Sequence, residues 1–103
     1  MSEAKINETK LSGLLGLCRR AGKLFAGMSA VQKALDAGKV CAVFADEAIA
    51  LNTLERMQKK CKAQSVPLCL LPEGLMERAL GEYHMLCCVC DPNFARGLMQ
   101  LLP

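Results

Sequence analysis

The run Lys39-Val40-Cys41-Ala42-Val43-Phe44-Ala45 constrains this chain most, because every residue after the lysine is apolar and none alternates with a polar neighbour. A strand with one wet face alternates; a continuous apolar, β-branched run reads as a strand buried on both faces. Two further runs, Val66-Pro67-Leu68-Cys69-Leu70-Leu71 and Met85-Leu86-Cys87-Cys88-Val89-Cys90, have the same character. Strands of this kind require helices on both sides, and the intervening segments have helical periodicity. Leu11, Leu14, Leu15 and Cys18 follow the i, i+3, i+4, i+7 spacing, which predicts a helix over 8–21 closed by two arginines and Gly22. Val31, Ala34 and Leu35 predict a second helix over 28–37 ended by Gly38. Leu54, Met57 and Cys61 mark the inner face of a third, with Arg56, Lys59, Lys60 and Lys62 outside.

Between the first two helices, Lys23-Leu24-Phe25-Ala26 is too short for a helix and reads as a short strand. A fourth helix over 73–80 stops at Gly81. A fifth starts with Asp91 as cap and Pro92 at the first helical position. The resulting order is α, β, α, β, α, β, α, β, α. It predicts an α/β domain with one central sheet between two helical layers. A length of 103 residues with 52% apolar content suits a single domain over 1–103, with fraying expected over 1–7.

Uncharged runs reach about ten residues, well short of the roughly 18 to 20 that cross a bilayer. The polar start resembles no signal peptide, so a soluble, cytoplasmic protein without membrane contact is expected. The seven cysteines lie mostly inside the apolar runs and are odd in number, which fits buried thiols in a reducing compartment better than disulfides. Net charge is only +3, but it is unevenly placed. Residues 10–40 hold Lys10, Arg19, Arg20, Lys23, Lys33 and Lys39 against Asp36 alone, so this third is basic while the remainder is slightly acidic.

Catalytic chemistry finds little support. In a strand Cys87 and Cys88 point to opposite faces and only Cys88 and Cys90 share one, too few ligands for a metal. His84, the single histidine, reads as a loop residue without a nucleophile. Asp46-Glu47 reads as a helix cap rather than an acid–base pair. No phosphate-loop, dinucleotide or nucleophile-elbow motif is present. No catalytic residue, metal or cofactor is therefore assigned. One feature does stand out: the helix opening after Gly27 offers free N–H groups and a positive dipole, with Lys33 about one turn further in. Two readings compete for it. Either Ser29 caps an ordinary surface helix and Lys33 is solvated, or the opening meets phosphates or base edges.

The stretch LSGLLGLCRRAGKLFAGMSAVQKALDAGKVCAVFADEA, with NTLERMQKKCKAQSVPL and the later ALG and LCCVCDPNFARGL, resembles the bacterial YlxQ-like branch of the ribosomal-protein superfamily that binds kink-turn RNA. The resemblance runs from Leu11 to Leu101. Its most specific parts are LLGLCRRAGK with the glycine four residues on, the strand start from Ala37 to Lys39, and the Ser65-Val66-Pro67 turn. It implies a three-layer α/β/α sandwich with a four-stranded mixed sheet. It also implies an RNA-binding edge at Gly27, Met28, Ser29, Ala30 and Lys33, joined by the loop Glu82, Tyr83 and His84, with Lys23, Arg19 and Arg20 as electrostatic support.

The chain departs from the superfamily's best RNA binders at defined places. Ser29-Ala30 stands where they carry an Asn-Glu pair that reads tandem G·A pairs. Ile49 and Glu73 align with positions that hold a flipped-out base, and Met76-Glu77 replaces a Leu-Gly pair. Each lost base-edge pair removes about 1 to 3 kcal/mol of discrimination, by analogy with groove contacts in DNA. The resemblance thus implies an RNA-binding protein linked to the ribosome or translation, weaker and less selective, with structured RNA and ribosome-associated proteins as partners. The alternative is a protein-interaction adaptor with a degenerate RNA face, using Met28, Tyr83 and Met85 as an apolar contact.

Overall fold

The computed structural model describes residues 6–103. In chain order they form α1 (Glu8–Arg20), β1 (Leu24–Ala26), α2 (Met28–Asp36), β2 (Ala42–Asp46), α3 (Leu51–Ala63), β3 (Leu68–Leu71), α4 (Leu75–Leu80), β4 (Leu86–Val89) and α5 (Pro92–Gln100). Of the terminus expected to fray, residues 1–5 lie outside the described residues. Asn7 is ordered as the cap of α1, its side chain accepting the Lys10 N–H at 3.0 Å.

The strands make one sheet in the order β1-β4-β2-β3. β2 and β3 are parallel, whereas β4 runs antiparallel to both β1 and β2, which makes the sheet mixed. Alternation along the strands sorts the side chains into two cores. Ala42, Phe44, Cys87, Val89 and Leu24 face Leu11, Leu15, Leu75, Met76 and Leu98 of α1, α4 and α5. Val43, Ala45, Leu86 and Cys88 face Val31, Leu35, Met57 and Cys61 of α2 and α3. Every residue of β2 and β4 is buried, as the unbroken apolar runs require. The architecture is the three-layer α/β/α sandwich.

Boundaries differ from expectation where backbone N–H groups are already engaged. The strand predicted from Lys39 begins at Ala42, because the Lys39 N–H bonds back to the Ala34 carbonyl at 3.2 Å and closes α2. Likewise β3 begins at Leu68: the Val66 N–H is taken by the Cys61 carbonyl at 2.8 Å, and Pro67 has no N–H to give. The same 6→1 bond ends α1, α2 and α3. The third of these turns places Ser65 rather than glycine at positive φ, 57°. α5 starts as anticipated, with Asp91 Oδ1 accepting the N–H groups of Asn93 and Phe94 at 2.8 and 3.0 Å.

Asp46 is the one buried charged residue among those described. It does not cap α3, as its place in the sequence suggests, since Ala50 occupies that position. One carboxylate oxygen accepts the Ala48 N–H at 2.7 Å, and the other accepts the Gly74 N–H at 3.0 Å. Its own N–H donates to the Met85 carbonyl at 2.9 Å. The end of β2 is thereby tied to the segment before α4 and to the loop that enters β4. Asp46→Ala leaves two partly buried N–H groups without acceptors and should cost roughly 2 to 3 kcal/mol, read from urea unfolding. Glu47→Ala, whose side chain is exposed, should stay within about 0.5 kcal/mol of the parent.

Candidate nucleic-acid interface

The turn from β1 into α2 is built on Gly27. Its N–H donates to the Leu86 carbonyl at 2.8 Å, extending the β1–β4 ladder by one bond, and its carbonyl accepts the Val31 N–H at 3.0 Å to begin the helix. One residue that ends a strand and opens a helix has to turn sharply. Gly27 does so at φ 98°, ψ 153°, a region side-chain-bearing residues scarcely enter.

Among the described residues no side chain caps α2. Gly27 has no side chain to offer, and the first turn contains no acidic residue. Ser29 sits inside the helix rather than at its cap, so the reading of Ser29 as the capping residue is overturned. Among the described residues no acceptor meets the N–H groups of Met28, Ser29 and Ala30. These groups and the helix dipole leave a partial positive charge at the tip. Ser29 is exposed, as is Lys33, four residues on. Helical side chains lean toward the N-terminus, so the Lys33 stem runs back over the Ser29 turn toward the tip. Met28 is half-buried and packs against the core under α2 and α3.

The loop before β4 lies beside this tip. The His84 ring approaches within 3.7 Å of the point that a Cβ on Gly27 would occupy. His84 Nε2 stands 3.5 Å from Glu82 Oε1, and the other Glu82 oxygen is in close contact with the Arg19 guanidinium. Arg19 also donates to the Leu80 carbonyl at 3.4 Å. The hydrogen bond from Arg19, and then its charge, hold the Glu82 carboxyl below the usual carboxylate range. The pair therefore persists to pH values at which an ordinary glutamate is already taking up protons, and is lost as pH falls further. Tyr83, 65% exposed, is the part of the loop that projects outward.

The residues singled out in the sequence are thus gathered unevenly. Gly27, Met28, Ser29, Ala30, Lys33 and His84 meet at one end of the sheet. Arg19 reaches that end already paired to Glu82. Arg20 folds back along α1, its Nη1 3.5 Å from the Cβ position of Gly16. Lys23 lies across β1, on the wall of a groove that also holds Lys33 and Lys39. On the opposite flank, a hollow of about 280 Å³ is lined by Asp46, Glu73 and Glu77 together with Tyr83, His84 and Met85. Ile49 is half-buried against the α2–α3 core, so it does not share that hollow with Glu73. Sequence reasoning missed the Arg19–Glu82–His84 chain because its members are 63 and 65 positions apart. It also missed Phe25, whose signal was the alternation of the short strand between Leu24 and Ala26.

The cysteines contribute packing. Burial pushes the Cys18 thiol up to about 11 and the Cys88 thiol up to about 12, with Cys87 raised further still. A thiol so raised carries almost no thiolate at neutral pH and has little nucleophilic character. Among the described residues no group of three or more His, Cys, Asp or Glu is arranged to hold a metal, and no helix is long and apolar enough to cross a membrane.

No protein-family model and no curated protein sequence matches the chain. Solved structures do. A protein with unknown function from Bacillus halodurans is 30% identical, superimposes with a TM-score of 0.83, and matches over 96% of this chain and 97% of its own. The Giardia lamblia 15.5kD RNA binding protein is 12% identical, with a TM-score of 0.72 over 98% of this chain and 89% of its own.

Gly27→Ala tests the turn directly. The space beside Gly27 would admit a methyl group, so the penalty is backbone strain, about 1 to 3 kcal/mol, visible as a lowered urea midpoint at unchanged slope.

Proposed function

This chain belongs to one family with the Bacillus halodurans protein and shares the L-seven-Ae-like fold of the Giardia protein; from that footing we propose that it is a non-catalytic RNA-binding protein for sharply bent, kink-turn-like RNA. The observation that carries the reading is the uncapped tip of α2. Three N–H groups have no acceptor among the described residues, no acid occupies the first turn, and Lys33 lies one turn behind. The Giardia protein is an RNA-binding protein by name, which agrees with this use of the fold.

Chemistry at the tip favours a distorted helix over a regular one. The deep, narrow groove of A-form RNA excludes a protein helix, whereas an internal loop with sheared pairs opens it. Backbone N–H groups can then meet phosphate or base-edge acceptors, and Lys33 neutralises a neighbouring phosphate. With Ser29-Ala30 in place of a carboxamide and a carboxylate, shape and charge outweigh base reading. Affinity should accordingly be modest and strongly salt-dependent. The RNA is assigned to the ribosome or another structured RNA of translation, and the site of action to the cytoplasm. The adaptor reading loses weight because Met28 is engaged in the core and Met85 is half-buried, leaving Tyr83 as the exposed member of its proposed apolar contact.

Titration of a kink-turn RNA and a straight duplex of equal length, at two salt concentrations, tests the proposal. Tighter binding of the bent RNA is expected; equal and negligible affinity for both would overturn it. Lys33→Ala should weaken both complexes and reduce the slope of log K against log salt by about 1, the signature of one lost phosphate contact. Glu82→Gln frees Arg19 and removes a carboxylate beside the tip, and should strengthen kink-turn binding about two- to five-fold at low salt.

A further inference from the structure

Between β1 and α2 lies a groove of about 610 Å³ that the tip of α2 does not use. Its origin is a mismatch across the sheet edge. Leu24 and Ala26 turn into the core beneath α1 and α5, so Phe25, opposite Cys88 in the ladder, points to the α2 side. There a helix covers it only in part, since α2 presents Ala30, Ala34 and Ala37, spaced i, i+4, i+7, whose side chains are single methyl groups. Phe25 stays 44% exposed on the floor of the groove. Lys23, Lys33 and Lys39 stand around it, and no acidic residue lines it. The alanine wall is about 10 Å long.

We propose that this groove is a single-strand subsite, taking an unpaired nucleotide that continues from the RNA held at the α2 tip, with its base stacked on Phe25 and its phosphates between Lys23, Lys33 and Lys39. The inference rests on the RNA-binding reading of that tip and extends it across β1 to Phe25 and Lys39, which the kink-turn resemblance does not assign. Three properties select this occupant. An exposed aromatic face beside cations is the arrangement by which proteins hold unstacked bases without regard to sequence. The volume falls within the roughly 300 to 1,000 Å³ of small-ligand pockets and cannot admit a duplex. Lys33 belongs to both places, since it leans over the tip and lines the groove, so a strand leaving the tip passes directly onto Phe25.

The experiment compares a blunt kink-turn RNA with the same RNA carrying a three-nucleotide unpaired tail, at either end, and with a tail of abasic residues. The tail with bases should tighten binding by the protein about 5- to 100-fold, the range for one stacked base. Phe25→Ala should abolish that gain and leave blunt binding unchanged, while Phe25→Tyr should retain it. Because Phe25 is partly exposed at the sheet edge, the variants should fold, which circular dichroism and thermal melting verify. A tail that adds nothing, or an abasic tail that adds as much as one with bases, overturns the subsite. The second result would mean that the groove reads charge alone, as an acidic peptide would require. In both cases blunt binding that remains sensitive to Lys33→Ala leaves the α2-tip reading standing; failure to bind blunt and tailed RNA alike overturns both.

Discussion

Burial of β2 and β4 on both faces is the constraint from which the rest of this molecule follows. Neither strand has a polar face to turn toward water, so helices must cover both sides, and the chain has to cross the sheet repeatedly to supply them. Because β4 runs against β1 and β2, and β3 is parallel to β2, the loop that enters β4 arrives where the other three strands end. Residues 26–28, 46–49, 71–74 and 82–86 therefore share one end of the sheet, although they are scattered along the chain. Asp46 fixes this cluster by bonding to segments 71–74 and 82–86, and Gly27 ties segment 26–28 to the latter through Leu86. The candidate site is a consequence of strand direction before it is a matter of which side chains occupy it.

Electrostatics then gives that end a polarity. The tip of α2 lies between a hollow with three carboxylates and a groove with three lysines. A polyanion is attracted to one flank and repelled from the other, so its direction across the surface is set by the protein's field as well as by contact. Glu82 refines this arrangement. Unpaired, it would place a negative charge beside the tip; held by Arg19 and facing His84, it is neutralised and at the same time positions the loop that carries Tyr83. The cost is the loss of Arg19 as a free cation, which concentrates the usable charge on the lysines.

Much of this was legible in the residues. Two of the three apolar runs are strands buried on both faces, whereas the run at 66–71 forms the edge strand β3 with Leu70 46% exposed; helical spacing identified the inward faces of the helices, and Asp91-Pro92 marked a helix start to the residue. The basic first third and the Gly27 helix opening lie at the end of the sheet where the candidate interface is proposed. What escaped was whatever depends on pairing between distant segments. No local pattern marks Arg19 as the partner of Glu82. Asp46 looked like a cap for the helix that follows, but its acceptors are used by a turn and by Gly74, brought close only by the parallel pairing of β2 with β3. The groove escaped for another reason: an alanine stripe reads as a tightly packed helix face, and only the sheet edge shows the open space beside it.

On the proposed RNA-binding reading, the departures from the kink-turn pattern bear on what the α2 tip could discriminate. A pair of polar side chains at positions 29 and 30 would hydrogen-bond base edges and discriminate among loops by about 1 to 3 kcal/mol per contact, by the measure of groove recognition in DNA. Ser29 and Ala30 retain the backbone N–H groups and the dipole, which are indifferent to base identity. The discrimination that remains comes from shape, because only an opened groove admits the helix end, and from the strand that leaves it. In the proposed subsite an exposed aromatic ring beside Lys33 would supply a contact with bases that the helix tip lacks, without a preference for their sequence. On that proposal recognition would depend on where paired RNA gives way to unpaired RNA, which is a geometric property and would be read by geometry.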